Sequence, residues 1–255
     1  MRAGVMSAVA VCLSSALSGA GPAPIIDEGF EAGIPTNWVT INHAAPLAPG
    51  GDPTDWGRSF FGPNGQFAAH AGTYFAEARD SSTDPEGTVD DWLLTPPLQI
   101  RAGDKLSFWS RAAGHNSDNL QVRLSTAADS LDCGATNAVP PPIAPPDPPE
   151  FAAYRAAVEA NVGAFTNLLI NIDPTTGNTY PAVTCSNDYP TAWTKYEYTF
   201  KAAAEGRIGF RYVAYDGGGS GGNSWVIGVD EVRVAGPPVI GTVISVRAIP
   251  RENQE

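Results

Sequence analysis

Leu120, Val122 and Leu124 alternate with Gln121, Arg123 and Ser125, and Tyr196, Tyr198 and Phe200 alternate with Lys195, Glu197 and Thr199. A period of two marks a strand with one buried face and one wet face. Runs of similar character occupy Lys105–Arg111, Arg207–Tyr215 and Trp225–Val234, and Val239–Val246 reads as one more strand near the end of the chain. Gly and Asp clusters bound most of them. Many short strands joined by Gly-rich and Pro-rich connections predict a sandwich or barrel, not βαβ units.

One segment departs from this rhythm. Ala138–Pro149 is rich in proline and reads as a stiff linker inside an insertion rather than a peptide-docking motif. Its end, Asp147-Pro148-Pro149-Glu150, has the order of a helix start: Asp as N-cap, Pro at the first helical position, Glu at the third. Phe151, Tyr154, Val158 and Val162 then recur at helical spacing. The pattern predicts a single short helix ending near Asn161 or Gly163, with its aromatic face on the sandwich.

Composition agrees with strands and loops: 43% hydrophobic, 16% charged, with 27 Gly and 23 Pro in 255 residues. A net charge of -12 argues against nucleic acid, whose phosphates need clustered Lys and Arg. It argues equally against an anionic membrane surface. At the N-terminus, Arg2, the apolar run Val5–Leu17 and Ser18-Gly19-Ala20 have the layout of a signal peptide over residues 1–20. That run falls short of the roughly 20 apolar residues of a membrane span, and Pro22 and Pro24 end it. The reading is therefore a secreted domain over 21–236, with no membrane span after signal removal, and a tail over 237–255 without a recognisable sorting motif. Cys12 would leave with the signal. Cys133 and Cys185 remain, and in an oxidising compartment an even pair most simply forms one disulfide. Closing such a loop stabilises by about 4 kcal/mol in the chain-entropy account.

No nucleophile elbow, zinc-protease motif or P-loop occurs in the chain. Gly217, Gly219 and Gly222 match a dinucleotide fingerprint in spacing but precede a strand, so no helix N-terminus meets a phosphate. His43, His70 and His115 share no metal-ligand spacing. Asp90 and Asp91 are neighbours on a strand and point to opposite faces, which unsuits them as an acid/base couple. The chain reads as non-catalytic, with a glycan hydrolase as the lesser alternative. Glu31 ends the first strand and Asp230-Glu231 lies in the last strong one. If the terminal strands pair, these acids meet, as a calcium site of hard oxygen donors or as solvated rim charges.

Several strings, read in order, resemble the choice-of-anchor J or cleaved-adhesin type of bacterial domain. They are Phe30-Glu31-Ala32-Gly33-Ile34-Pro35 with Trp38, His70-Ala71-Gly72, Asp91-Trp92-Leu93-Leu94-Thr95-Pro96, Leu106–Arg111, Val122–Thr126, Ile208–Tyr212 and Ile227–Val232. The resemblance spans Ile25 to Val234. It implies an all-β jelly-roll sandwich of two antiparallel sheets; the insertion over 127–192, which carries the one short helix read from the residue pattern, is longer than the resemblance leads one to expect. It also implies structural Ca²⁺ held by the Phe-Glu acid, an aspartate-rich loop and the terminal Asp-Glu pair. Glu31, Asp230 and Glu231 match that set. Asn42 falls where the loop's first aspartate is expected, and Asp52 and Asp55 are the nearest acids. The function implied is adhesion or recognition of an extracellular glycan or protein through rim loops; a structural matrix protein is a further alternative. Trp56, Trp225 and Tyr215 are the candidate contact aromatics, offering flat apolar faces to a sugar ring, whereas Trp38, Trp92 and Trp109 read as core.

Overall fold

Lys105–Ala112 alternates buried Leu106, Phe108, Ser110 and Ala112 with more exposed residues, and this strand is a central member of one of two facing sheets. The computed structural model describes residues 24–47, 56–60, 67–114, 118–141, 149–173, 189–218 and 226–237. In chain order the strands are β1 (Ile26–Glu28), β2 (Val39–Asn42), β3 (Ala45–Leu47), β4 (Trp56–Phe60), β5 (Tyr74–Arg79), β6 (Thr83–Leu94) and β7 (Leu98–Ile100). They continue as β8 (Lys105–Ala112), β9 (Asn119–Leu124), β10 (Asn167–Ile172), β11 (Thr194–Thr199), β12 (Ala204–Gly206), β13 (Ile208–Gly217) and β14 (Val226–Ala235). Helix α1 covers Pro149–Ala160.

The first sheet runs β11-β8-β14-β5-β4, with β1 also on β14. The second runs β10-β9-β13-β6-β2, with β3 also on β6, and β12 and β7 form a small separate pair. Every pairing is antiparallel. Inward residues of both sheets merge into one core, where Phe108 of β8 meets Phe210 of β13 edge to face at 5.3 Å. This is the expected sandwich of two antiparallel sheets with a single short helix among the described residues.

The burial of β9 departs from expectation. All six of its residues are buried, Gln121 and Arg123 included, although the alternation predicted a wet face. The reason is a third layer. Residues of the insertion cover the outer face of the second sheet: Cys133, Val162 and Phe165 pack on Trp92 and Leu94, and Phe151 and Val158 of α1 pack with Val213 and Tyr215. A helix of 12 residues is marginal alone in water, so α1 depends on these contacts, each such buried side chain being worth about 1.5–3 kcal/mol. The helix ends as predicted, at Ala160 before Gly163, whose φ of 50° lies in the left-handed region. A Cβ at Gly163 would collide with the Asp132 backbone, so the close approach of the two insertion segments requires glycine here. Asp147, Pro148 and the Val239–Val246 strand lie outside the described residues.

Candidate functional site

β1 and β14 pair in register, Ile26 with Val234 and Glu28 with Val232. This pairing brings Glu31 to Asp230 and Glu231, as the sequence led one to expect. Asp27, Glu28, Glu31, Asp230 and Glu231, with Gly72, border a cleft of about 180 Å³. β14 shifts register between Asp230 and Arg233, and Glu231 takes a φ of 48°. This local irregularity re-aims the two acids, as bulges do beside binding sites.

The carboxylates organise the opposing loop. Asp230 Oδ2 accepts the backbone N–H groups of His70 (2.9 Å) and Ala71 (3.2 Å), and Oδ1 accepts that of Glu231 (2.7 Å). Glu31 Oε1 accepts the N–H groups of Thr73 (2.9 Å) and Tyr74 (3.0 Å). Gly72 has a φ of 65°, and the Glu31 carboxylate occupies the space that a Cβ at this position would need. The N–H groups of Tyr74 and Thr73 lower the pKa of the Glu31 carboxyl below its ordinary value. Asp230 goes the other way: burial pushes it up to about 6, and the neighbouring Glu231 charge adds to the rise against the three N–H donors.

An all-oxygen, all-anionic rim is the donor chemistry that Ca²⁺ prefers, and in that respect these residues fit the ion. Their present seats are tied to backbone N–H groups, and among the described residues no three or more His, Cys, Asp or Glu side chains converge as a metal-holding group. Asn42 does not line the cleft; its Oδ1 accepts the Ala44 N–H at 2.7 Å, and it pairs with Asp91 in the second sheet. Asp52 and Asp55 lie outside the described residues.

The aromatic candidates are redistributed. Trp56 is only 2% exposed, sits in the core and donates its Nε1–H to Asp91 O at 3.1 Å. Tyr215 is 3% exposed beneath α1. Neither offers a flat face to solvent, because β4 turns Trp56 inward and the insertion covers Tyr215. Trp225 lies outside the described residues. Trp109, expected in the core, is instead partly exposed on the outer face of the first sheet, where the His70 ring stacks on it at 3.7 Å and 16°. Trp193 stands edge-on to Phe67 and Phe75 beside it, at 5.5 and 5.6 Å, and donates Nε1–H to Ala68 O. A sequence signal for this existed: Trp109 shares its alternation phase with Lys105, Ser107 and Arg111, the polar face of β8. His70 joins the two features, since its Nδ1 lies 2.6 Å from Glu231 Oε2 at the cleft.

Cys133 is a buried free thiol, pushed up to about 12 by burial, with His43 Nδ1 4.0 Å from its sulfur. Cys185 lies outside the described residues, as does His115. Asp90 and Asp91 do face opposite ways: Asp90 lies with Trp92 under the insertion, while Leu93, in phase with Asp91, is in the core. Among the described residues no helix is long and apolar enough to cross a membrane.

No family model matches the chain. Over 116 residues, 42% of its length, it is 28% identical to Hemagglutinin A of Porphyromonas gingivalis, of which it spans 4%. It has the same identity over the same share to Lys-gingipain W83 of Porphyromonas gingivalis, of which it spans 6%. The chain thus corresponds to a small part of the curated relatives it matches. Among solved structures, the K3 cleaved adhesin domain of Lys-gingipain from Porphyromonas gingivalis W83 superposes with a TM-score of 0.51 at 22% identity. The match covers 84% of this chain and all of that domain. The fold is like that of the K3 cleaved adhesin domain.

Proposed function

We propose that this chain is an exported, non-catalytic recognition module that holds Ca²⁺ at the acidic cleft and binds an extracellular glycan or protein through the neighbouring aromatic surface. The observation that carries this reading is the position of His70. Its backbone N–H is held by Asp230, its ring stacks on Trp109, and its Nδ1 contacts Glu231. Order in the cleft therefore passes directly to the aromatic surface. Glu31, Asp230 and Glu231, with Asp27 and Glu28 at the rim, are the residues that would hold the ion, which when bound supplies positive charge to a site now anionic and, at Asp230, buried. The commitment of Asp90 to an ion pair with Arg211 supports a non-catalytic role. The partial identity to Hemagglutinin A supports adhesion as the setting.

The test is thermal unfolding of the purified chain in Ca²⁺ and in chelator, beside capture of glycans and of host surface proteins. Ca²⁺ should raise the melting temperature, Glu31→Ala and Asp230→Ala should abolish that rise, and Trp109→Ala with Trp193→Ala should reduce ligand capture. A melting temperature indifferent to Ca²⁺ removes the ion from the reading. Capture indifferent to both tryptophan changes removes the aromatic surface.

A further inference from the structure

A second concavity lies on the other sheet, between α1 and strands β9, β10 and β13. Asn119, Gln121, Asn171 and Tyr215 from the strands, and Arg155 and Glu159 from the helix, border about 150 Å³ of space. Its floor consists of polar residues that are almost wholly enclosed: Asn119 and Tyr215 are 3% exposed and Gln121 is 2% exposed. Its mouth is open, since Asn171, Ala156 and Glu159 are exposed and Arg155 is partly so.

The polar groups on this floor are held in fixed directions. Gln121 Oε1 accepts Nε of Arg123 at 2.8 Å and Nη1 of Arg211 at 3.4 Å, so two guanidinium groups define which end of the amide is oxygen. The Gln121 Nε2 end therefore points the other way, donating to Asn119 Oδ1 (3.0 Å) and Glu159 Oε2 (2.7 Å). Asn119 Nδ2 in turn donates to Asn171 Oδ1 and Ile172 O, each at 2.7 Å, and Tyr215 Oη donates to Glu159 Oε1 at 3.2 Å. One chain of hydrogen bonds thus runs from the ion-paired interior to the exposed edge strand. A preorganised set of this kind costs little further ordering when a ligand arrives.

The lining also constrains the ligand. One carboxylate and one guanidinium balance in charge, and the remaining groups are amides and a phenol. The mixture sets the acceptors of Glu159 and Asn171 beside the Arg155 guanidinium, while the N–H groups of the Gln121 and Asn119 amides are committed to the network. It suits a neutral molecule whose own groups both donate and accept, which is the character of a ring bearing several hydroxyls. The space is large enough to hold several water molecules. Hydroxyls of a ring that replaces such waters reproduce their hydrogen bonds, the condition under which displacement does not lose affinity.

We infer that this cavity is a saccharide subsite that receives one neutral pyranose ring, with Glu159 and Asn171 at its mouth and Asn119, Gln121 and Tyr215 at its base. The inference rests on the recognition-module reading and specifies a ligand class for it, at a site separate from the aromatic surface. The experiment is a ¹⁵N-correlation NMR titration of the whole chain with methyl galactoside, methyl mannoside, methyl fucoside and N-acetylglucosamine, with glucuronate as a charged comparison. At least one neutral sugar should shift the side-chain amides of Asn119, Gln121 and Asn171 saturably, and glucuronate should shift them less. Asn171→Ala, a change at an exposed edge position, should weaken that binding by about tenfold or more, as should Glu159→Gln; circular dichroism confirms that both variants fold. If all sugars leave these amides unmoved at tens of millimolar, the cavity holds water only and the inference is overturned. If sugar binding survives Asn171→Ala and Glu159→Gln but is lost in Trp109→Ala, the subsite is overturned while the recognition reading stands. If the chain captures only proteins or peptides, the saccharide class is overturned.

Discussion

Arg211 grips Asp90 through two parallel hydrogen bonds, Nε to Oδ1 and Nη2 to Oδ2, each 2.7 Å long, with both side chains 0% exposed. The same Nη2 donates to Val158 O near the C-terminal end of α1 at 2.9 Å, where a cation also suits the helix dipole. Asn137 of the insertion donates to Asp90 Oδ2 at 2.7 Å. One ion pair therefore joins two strands of the second sheet to the layer that covers them.

Removing one partner leaves a buried charge without compensation. Asp90→Asn or Arg211→Met should each lower stability by about 3–5 kcal/mol, whereas Asp90→Leu combined with Arg211→Met should cost much less than the sum. Urea unfolding of the two single variants and the double variant checks this. Additive losses would show that the pair contributes no coupling.

Asp230 makes stability depend on pH in a defined sense. Its carboxyl is raised from 3.8 to about 6 in the folded chain, so between those values the folded state holds a proton that the unfolded state has released. Stability contributed by this group is therefore greatest below about pH 4 and falls as pH rises through about 6. The loss is on the order of 2–3 kcal/mol, from about 1.4 kcal/mol per pKa unit. In chelator, the wild-type melting temperature should fall across this window relative to Asp230→Asn, which cannot titrate. A constant difference between the two proteins across the window would contradict the assignment.

Gly228 underlies the aromatic surface. A Cβ at this position would come within 2.9 Å of Phe67 and Trp193 and 3.0 Å of Phe75. Gly228→Ala should displace that cluster at a cost of about 1–3 kcal/mol. The near-ultraviolet circular dichroism should change while the far-ultraviolet spectrum is kept. An unaltered near-ultraviolet spectrum would mean that the rings move aside freely.

Cys133 should be a poor nucleophile, because the thiolate is the reactive form and burial holds the thiol near 12. In reduced, folded protein at mildly alkaline pH, iodoacetamide should leave Cys133 unmodified, and denaturant should release it. Rapid alkylation of folded protein would contradict its burial. Peptide mapping without reductant checks separately whether the Cys133–Cys185 bridge expected from an oxidising compartment forms.

Residue types and their spacing determined much of this molecule. The alternation in Lys105–Arg111 and Lys195–Thr199 marked β8 and β11, Pro149-Glu150 with Phe151, Tyr154 and Val158 marked α1, and Glu31, which lies in the turn just after β1 and not in the strand as expected, marked the cleft together with Asp230-Glu231 of β14. These are local features, or follow from one pairing of strands. Only the tertiary structure decided which sheet faces meet water. Gln121 and Arg123 lie on what the pattern reads as a wet face, yet the insertion buries them together with Asp90 and Arg211, and their mutual hydrogen bonds make that burial tolerable. Trp56 and Tyr215 went inside for the same kind of reason, and Trp109 came out. Sequence period reports which side chains share a face; whether that face is covered depends on segments far away along the chain, and so does the cavity between α1 and the second sheet.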